Sequence, residues 1–192
     1  MSEQGFRILG LAASLRRTSL NRGLLRAARE ASPEDVVYDG FDLGRMPFFN
    51  ADVEAEGDPE PVAEFKQKIQ AADAVLIASP EYDYAVPGVL VTALDWALRP
   101  PTPLRHKPVG IIGASPGASG TARSQMILRQ ILLHAPAYVM PEPQILVGSA
   151  RQRFDEEGNL ADEETRERLE RFVIALREWS RRMQSPVEIR ER

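Results

Sequence analysis

Three short apolar runs govern what this chain can fold into: RILGLAA at residues 7–13, DAVLIASP at 73–80 and KPVGIIGAS at 107–115. None of them alternates polar with apolar residues, so each reads as a strand buried on both faces, the habit of parallel sheets. Parallel neighbours cannot be joined by a tight turn and need a crossover. The sequence supplies one after each run. Leu20, Leu24, Leu25 and Ala28 recur at helical spacing up to Ser32 and Pro33, residues 87–99 form a helix stopped by Pro100 and Pro101, and residues 116–135 run from a glycine-containing loop into a third helix.

Two further strands are expected at 35–40 (DVVYDG) and at 137–148 (AYVMPEPQILVG), the latter interrupted by prolines. Residues 61–72 form a helix entered through Pro61, with Val62, Phe65, Ile69 and Ala72 on one face. Residues 41–60 read as a long irregular connection. Leu169, Phe172, Val173, Leu176 and Trp179 mark a last amphipathic helix. Five strands alternating with helices make a doubly wound α/β sandwich. Periodicity leaves open the Rossmann strand order and the flavodoxin-like order 2-1-3-4-5. One domain is expected over 1–184, with 185–192 as a charged, flexible tail.

Composition narrows the chemistry. The chain has no cysteine, which removes disulfides, thiolate nucleophiles, zinc–thiolate sites and iron–sulfur clusters. A net charge of −4 argues against nucleic acid as the main partner. No run approaches 18 apolar residues, so no membrane partner is expected. The opening MSEQGFRILGLAAS lacks a cationic segment followed by a long apolar run, so no signal peptide is expected and the location is read as cytoplasmic. His106 and His134 lie on separate elements with no carboxylate pattern around them, and no metal site is expected. Asp155, Glu156, Glu157, Glu163 and Glu164 read as a turn plus the acidic first turn of the last helix.

Parallel strands would bring three polar loops to one carboxyl edge of the sheet, where ligands of such folds bind. In the first, SLRRTSLN, a helix starts behind the natural cap Ser19, and a helix N-terminus attracts anions. Ser14, Thr18 and Ser19 add hydroxyls, Arg16 a fixed cation and Asn21 an amide. Neither GxxxxGK[ST] nor GxGxxG is present, so this would be a phosphate cradle of another pattern; the plain alternative is a solvated turn with a serine cap. The second loop, PEYDYAVPG, carries Tyr82 and Tyr84, suited to stacking on a flat heterocycle. Its acids Glu81 and Asp83 read as turn carboxylates. In the third loop Gly113, Gly117 and Gly120 allow close backbone approach. No serine sits in a GxSxG elbow with a histidine to activate it.

These residues resemble the NADPH-dependent FMN reductase family, the flavodoxin-like quinone, azo and chromate reductases. ASLRRTSLN (13–21) is similar to the family's GSLRxxSxN loop, and SPEYDYAVPGVLVTALDWALRP (79–100) resembles its PEYNYSxPGxLKNAIDW segment. The strand, glycine turn and arginine-containing helix of 107–132, and the segment FDEEGNLADEETRERLERFV (154–173), carry the likeness over nearly the whole chain. The resemblance implies strand order 2-1-3-4-5 and bound FMN reduced by NADPH or NADH. Ser14, Arg16, Ser19, Leu20 and Asn21 would hold the phosphate. Pro80, Glu81, Tyr82, Asp83 and Tyr84 would wrap the ring edge, and Ser115, Pro116 and Gly117 would close its other side. The chemistry would sit on the flavin, with no catalytic side chain. A small-molecule acceptor would be reduced in a ping-pong scheme by a homodimer or homotetramer, with contacts from the tyrosine loop, residues 41–60 and RPPTPL.

Three residues depart from the family pattern: Ala13 for glycine, Asp83 for asparagine, and Thr121 where a second glycine is common. An ionised Asp83 would disfavour anionic reduced flavin. The competing readings are a non-catalytic flavin-binding or electron-carrier protein, and a flavin-free phosphate-site enzyme.

Overall fold

A computed structural model describes residues 5–184, so the expected tail at 185–192 lies outside the described residues. The central sheet is parallel. Strands β1 (Phe6–Ala12), β2 (Val36–Gly40), β3 (Ala74–Ala78), β4 (Pro108–Ala114) and β5 (Tyr138–Val139) stand in the order β2-β1-β3-β4-β5, with β6 (Ile145–Val147) also on β4. This is the flavodoxin-like order. Register is set by pairs such as Leu9 with Val75 and Ile77 with Ile111.

Strand residues alternate between two cores, as the period of two requires. Leu9, Leu11, Val75, Ile77, Val109 and Ile111 face α3 (Glu60–Ala71), α4 (Gly88–Ala97) and α5 (Ala122–His134). Ile8, Leu76, Ala78 and Ile112 face α1 (Leu20–Glu30) and α6 (Glu163–Gln184). Both sheet faces are therefore covered, which explains why the strand sequences show no polar alternation.

The fifth strand is two pieces. Tyr138 and Val139 pair with Pro108 and Val109, whereas Ile145 to Val147 pair with Ile112 to Ala114. Two residues of β4 thus face five of the partner, and Met140–Gln144 bulges away, a segment in which Pro141 and Pro143 have no N–H to offer a ladder. Arg129 on α5 donates to the Met140 carbonyl at 2.9 Å, and the Trp179 indole on α6 donates to Tyr138 O at 2.8 Å.

The connection at 41–60 is more ordered than its turn formers suggest. A 3-10 turn at Leu43–Arg45 is capped by Asp42, and α2 (Ala51–Glu56) is capped by Asn50, whose Oδ1 accepts Asp52 N–H at 2.9 Å. Gly57 ends α2 at φ +116°. The connection is anchored to α4: Trp96 Nε1 donates to Pro47 O at 3.0 Å, and Phe49 packs edge-on against Trp96 at 5.0 Å. Helix α3 starts at Glu60, so Pro61 is second in the helix rather than first. Among the described residues no helix is long and apolar enough to cross a membrane.

Candidate active site

The loops after β1, β3 and β4 do meet at the carboxyl edge. Behind β1, the Ala13 N–H donates to Ala78 O at 2.9 Å, so β1 and β3 stay paired up to the point where the first loop begins. Ser19 has extended backbone (φ −72°, ψ 124°) and its Oγ accepts Arg22 N–H, as expected of a cap. Gly23 N–H reaches Ser19 O at 3.0 Å. The N–H groups of Leu20 and Asn21 belong to the first turn, which has no intrahelical acceptor, so the main chain leaves them free to meet an anion.

A small cavity of about 70 Å³ opens there, lined by Ser14, Arg16, Ser19, Leu20, Asn21, Pro80, Glu81, Tyr82, Ser115 and Pro116, together with Ala114. Its size and its donors suit a single phosphate. An open hollow of about 520 Å³ adjoins it, sharing Glu81 and Ser115 and adding Asp83, Tyr84, Gly117, Ser119, Gly120 and Arg123. The thirteen residues that the family resemblance points to each line one or other of these spaces. Thr18 is exposed and lines neither.

Asn21 is placed differently from the expectation for its side chain. The amide is buried and fully engaged by the end of β4: Nδ2 donates to Ala114 O and Oδ1 accepts Ala114 N–H, both at 2.9 Å. Only its main-chain N–H is left to meet a ligand. Ser14 is buried beside the cavity, with its Oγ 3.2 Å from the Tyr82 hydroxyl.

The tyrosine loop turns tightly. Tyr82 and Ala85 exchange main-chain hydrogen bonds of 3.2 and 2.8 Å around Asp83 (φ +49°) and Tyr84 (φ +65°). Two successive positive φ values define a type I′ turn, which favours Asn-Gly. Asp tolerates the first position; a tyrosine at the second is strained, by about 1–2 kcal/mol. The Arg123 guanidinium lies over the Tyr84 ring at 4.2 Å and offsets part of that strain.

Glu81 closes the arrangement. Its carboxylate, only 7% exposed, accepts Arg123 N–H at 3.0 Å and Ser124 N–H at 3.1 Å, and takes the Arg123 guanidinium at 3.0 Å. It therefore caps α5 across 42 residues of sequence, and is satisfied as an acceptor rather than poised as a base. Thr121, the departure from glycine, receives the Gln125 amide at 3.0 Å and packs against Gly113, where a Cβ would collide with its hydroxyl and with Ser79 O. The sequence reading did not single out Arg123 or Ser119 as site residues. Their only local signal is a place within one turn of the glycine loop.

Chemically, the edge offers a donor-lined pocket for a phosphate beside an open, aromatic-rimmed hollow, and no group of three or more His, Asp or Glu side chains arranged for a metal among the described residues. Comparisons with known proteins agree with that outline. The sequence profile of the NADPH-dependent FMN reductases matches residues 6–152. The chain is 41% identical over 178 residues to an NAD(P)H-dependent FMN reductase of Pseudomonas aeruginosa, covering 92% of this chain and 96% of that one. It is 41% identical over 184 residues to an NADPH:quinone oxidoreductase of Arabidopsis thaliana, covering 93% of each. The structure of FerB, a flavoenzyme NAD(P)H:acceptor oxidoreductase from Paracoccus denitrificans, superposes with a TM-score of 0.84 at 32% identity, covering 93% of this chain and 98% of that one.

Proposed function

The chain belongs to the NADPH-dependent FMN reductase family, and from that premise we propose that it seats one FMN across the two adjoining spaces and passes electrons from NADPH or NADH to a quinone, azo, nitro, flavin or metal-oxyanion acceptor. The observation that carries this reading is the meeting of three loops at one edge, where a phosphate-sized cavity shares Glu81 and Ser115 with a larger hollow.

The fit to FMN rests on the donor set. Ser14, Ser19 and Arg16, with the main-chain N–H groups of Leu20 and Asn21, would hold the phosphate dianion at the positive end of α1. Pro80 to Tyr84 would border the ring on one side and Ser115 to Gly117 on the other. A bound FMN would supply the redox chemistry, hydride transfer between nicotinamide and acceptor in a ping-pong scheme.

The chain's own tasks are then positional. Glu81 occupies the N-terminus of α5, so the competing anion site there is closed and the phosphate is directed to α1. Asn21 ties α1 to β4, and the Ser14–Tyr82 contact ties the cradle to the tyrosine loop. Asp83 at the hollow's rim would, as a carboxylate, disfavour added negative charge on a bound flavin. No side chain acts as acid or base.

Residues 1–184 work as one FMN-binding unit in the cytoplasm, as a homodimer or homotetramer. Phe48, 85% exposed, with exposed Leu15 and Tyr84, supports a subunit contact beside the site. A visible spectrum of the purified protein, taken after adding FMN and desalting, tests the reading. A retained flavin band that bleaches anaerobically with NADPH or NADH is expected. A retained band that neither nicotinamide bleaches would favour the carrier reading, and no binding by calorimetry would sink both.

A further inference from the structure

A second cavity lies away from the flavin site. Between α1 and the edge strand β2 runs a groove of about 410 Å³. Gly10, Ala12 and Gly40 line it from the strands; the Leu25 side chain packs directly onto Gly10, whereas the space over Gly40 is open. Arg22, Arg26 and Arg29 line it from α1 at i, i+4 and i+7, a single helical stripe. Like charges at that spacing destabilise a helix. Among the described residues the stripe meets one carboxylate, Asp42, in a long ion pair with Arg22.

The partners of each cation bear this out. Arg22 Nε donates to Ser14 O at 3.0 Å, and its nearest acid, Asp42, is 3.8 Å away. Arg26 donates to Gly158 O at 3.3 Å and Asn159 Oδ1 at 2.7 Å, both neutral. Arg29 has no hydrogen bond or ion pair among the described residues. The acids nearby are engaged elsewhere. Asp39, which lines the groove, pairs with Lys68 on the opposite sheet face at 2.6 Å, and Glu30 pairs with Arg166 at 3.3 Å. Tyr38 closes the far end, its hydroxyl held against Ser32 and the Ala28 carbonyl. The groove is thus locally cationic in a chain of net charge −4.

We infer that this groove seats the 2′-phosphoadenosine end of NADPH. The 2′-phosphomonoester is a compact dianion whose oxygens match guanidinium forks. Leu25 and the open surface over Gly40 leave a partly apolar space for the heterocycle. Arg22 connects the two sites, since it lines the groove and also holds the carbonyl of Ser14, a wall of the phosphate cradle. A co-substrate lying over the first loop would enter the groove at that end. NADH carries a hydroxyl where NADPH carries the dianion, so the groove selects between them.

The inference rests on the reductase reading, and the test separates the two. FMN-loaded protein is titrated calorimetrically with adenosine 2′,5′-bisphosphate and with adenosine 5′-monophosphate, and initial rates are measured with NADPH and NADH. The bisphosphate should bind, and the monophosphate about tenfold more weakly or worse. Arg29→Gln removes a side chain without a partner, and should weaken bisphosphate binding and raise KM for NADPH by about tenfold, leaving NADH kinetics unchanged. Gly40→Leu keeps every arginine and fills the groove, where the nearest neighbour of a new Cβ is 4.0 Å away; it should likewise weaken bisphosphate binding and raise KM for NADPH. Unchanged titration and unchanged KM in both variants overturn the groove. Altered titration with unchanged KM for NADPH makes it a site for a free nucleotide and overturns the co-substrate assignment. Wild-type protein that oxidises neither nicotinamide overturns the reductase reading, and this inference falls with it.

Discussion

Asn21 and Ala114 exchange two hydrogen bonds of 2.9 Å, the side-chain amide of α1 acting as a peptide group would toward the last residue of β4. The pair spans 93 residues and fixes the height of the first loop against the third. Truncation would leave a buried N–H and a buried C=O with no partner.

Asn21→Ala should therefore lower unfolding stability by about 3 kcal/mol, since each orphaned buried group costs about 1–3 kcal/mol. Urea denaturation measures it. A loss below about 1 kcal/mol would mean that water replaces the amide and that the pair does not set the loop.

Glu81→Ala removes the cap of α5 and both hydrogen bonds that Arg123 makes to Glu81. A loss of about 2 kcal/mol in stability is expected. Glu81→Gln keeps an acceptor and should lose less. If the two variants unfold at the same urea concentration, charge plays no part in the cap.

Arg16 is exposed and lines the cradle, so it can be removed without touching the core. Arg16→Ala should weaken FMN binding by about 1.5–3 kcal/mol, roughly 10–150-fold, the range of a charge-assisted contact. The apoprotein should melt as before. Unchanged FMN affinity by fluorescence titration would remove Arg16 from the phosphate site.

Asp83→Asn keeps a residue that tolerates φ +49° and removes a rim carboxylate. The midpoint potential of bound FMN should rise, by on the order of 10–30 mV because the position is exposed. Spectroelectrochemistry reads the shift. An unchanged potential would place Asp83 away from the flavin.

Three carboxyls are held below the ordinary value of 3.8: Asp39 through Lys68, Asp155 through the Asn159 N–H, and Asp162 through the Thr165 hydroxyl and, more weakly, Arg153. A folded pKa below the unfolded one means that the fold favours the anion. Their contribution is complete above about pH 4 and is lost as pH falls through the folded values. Stability should thus decline below about pH 4, and less steeply in Asp162→Asn. A pH titration of the urea midpoint that is equally steep in that variant would refute the assignment.

Local signals carried most of the fold. Unalternating strands and the helices behind them follow from residues close in sequence, and Ser19, Asp42 and Asn50 each cap a helix or 3-10 turn that starts at the next residue. Helix α2 was legible in principle from Asn50 and Gly57 at its ends, but six residues with no buried side chain give no periodicity to detect. The strand order came from resemblance, because periodicity does not rank neighbours. The site divides the same way. Which residues gather at the edge could be read from the loops. What Asn21 and Glu81 do there could not, because their partners lie 93 and 42 residues away and are mostly backbone groups, which carry no sequence signature.

The split fifth strand has a consequence for how copies of the chain can meet. A sheet edge recruits another strand by offering a continuous row of free amides and carbonyls. Here that border offers two residues, then a bulge containing two prolines, then three residues. Such a broken row cannot template an intermolecular ladder. Assembly by way of this border would have to use side chains, which leaves β2 as the edge with an uninterrupted strand.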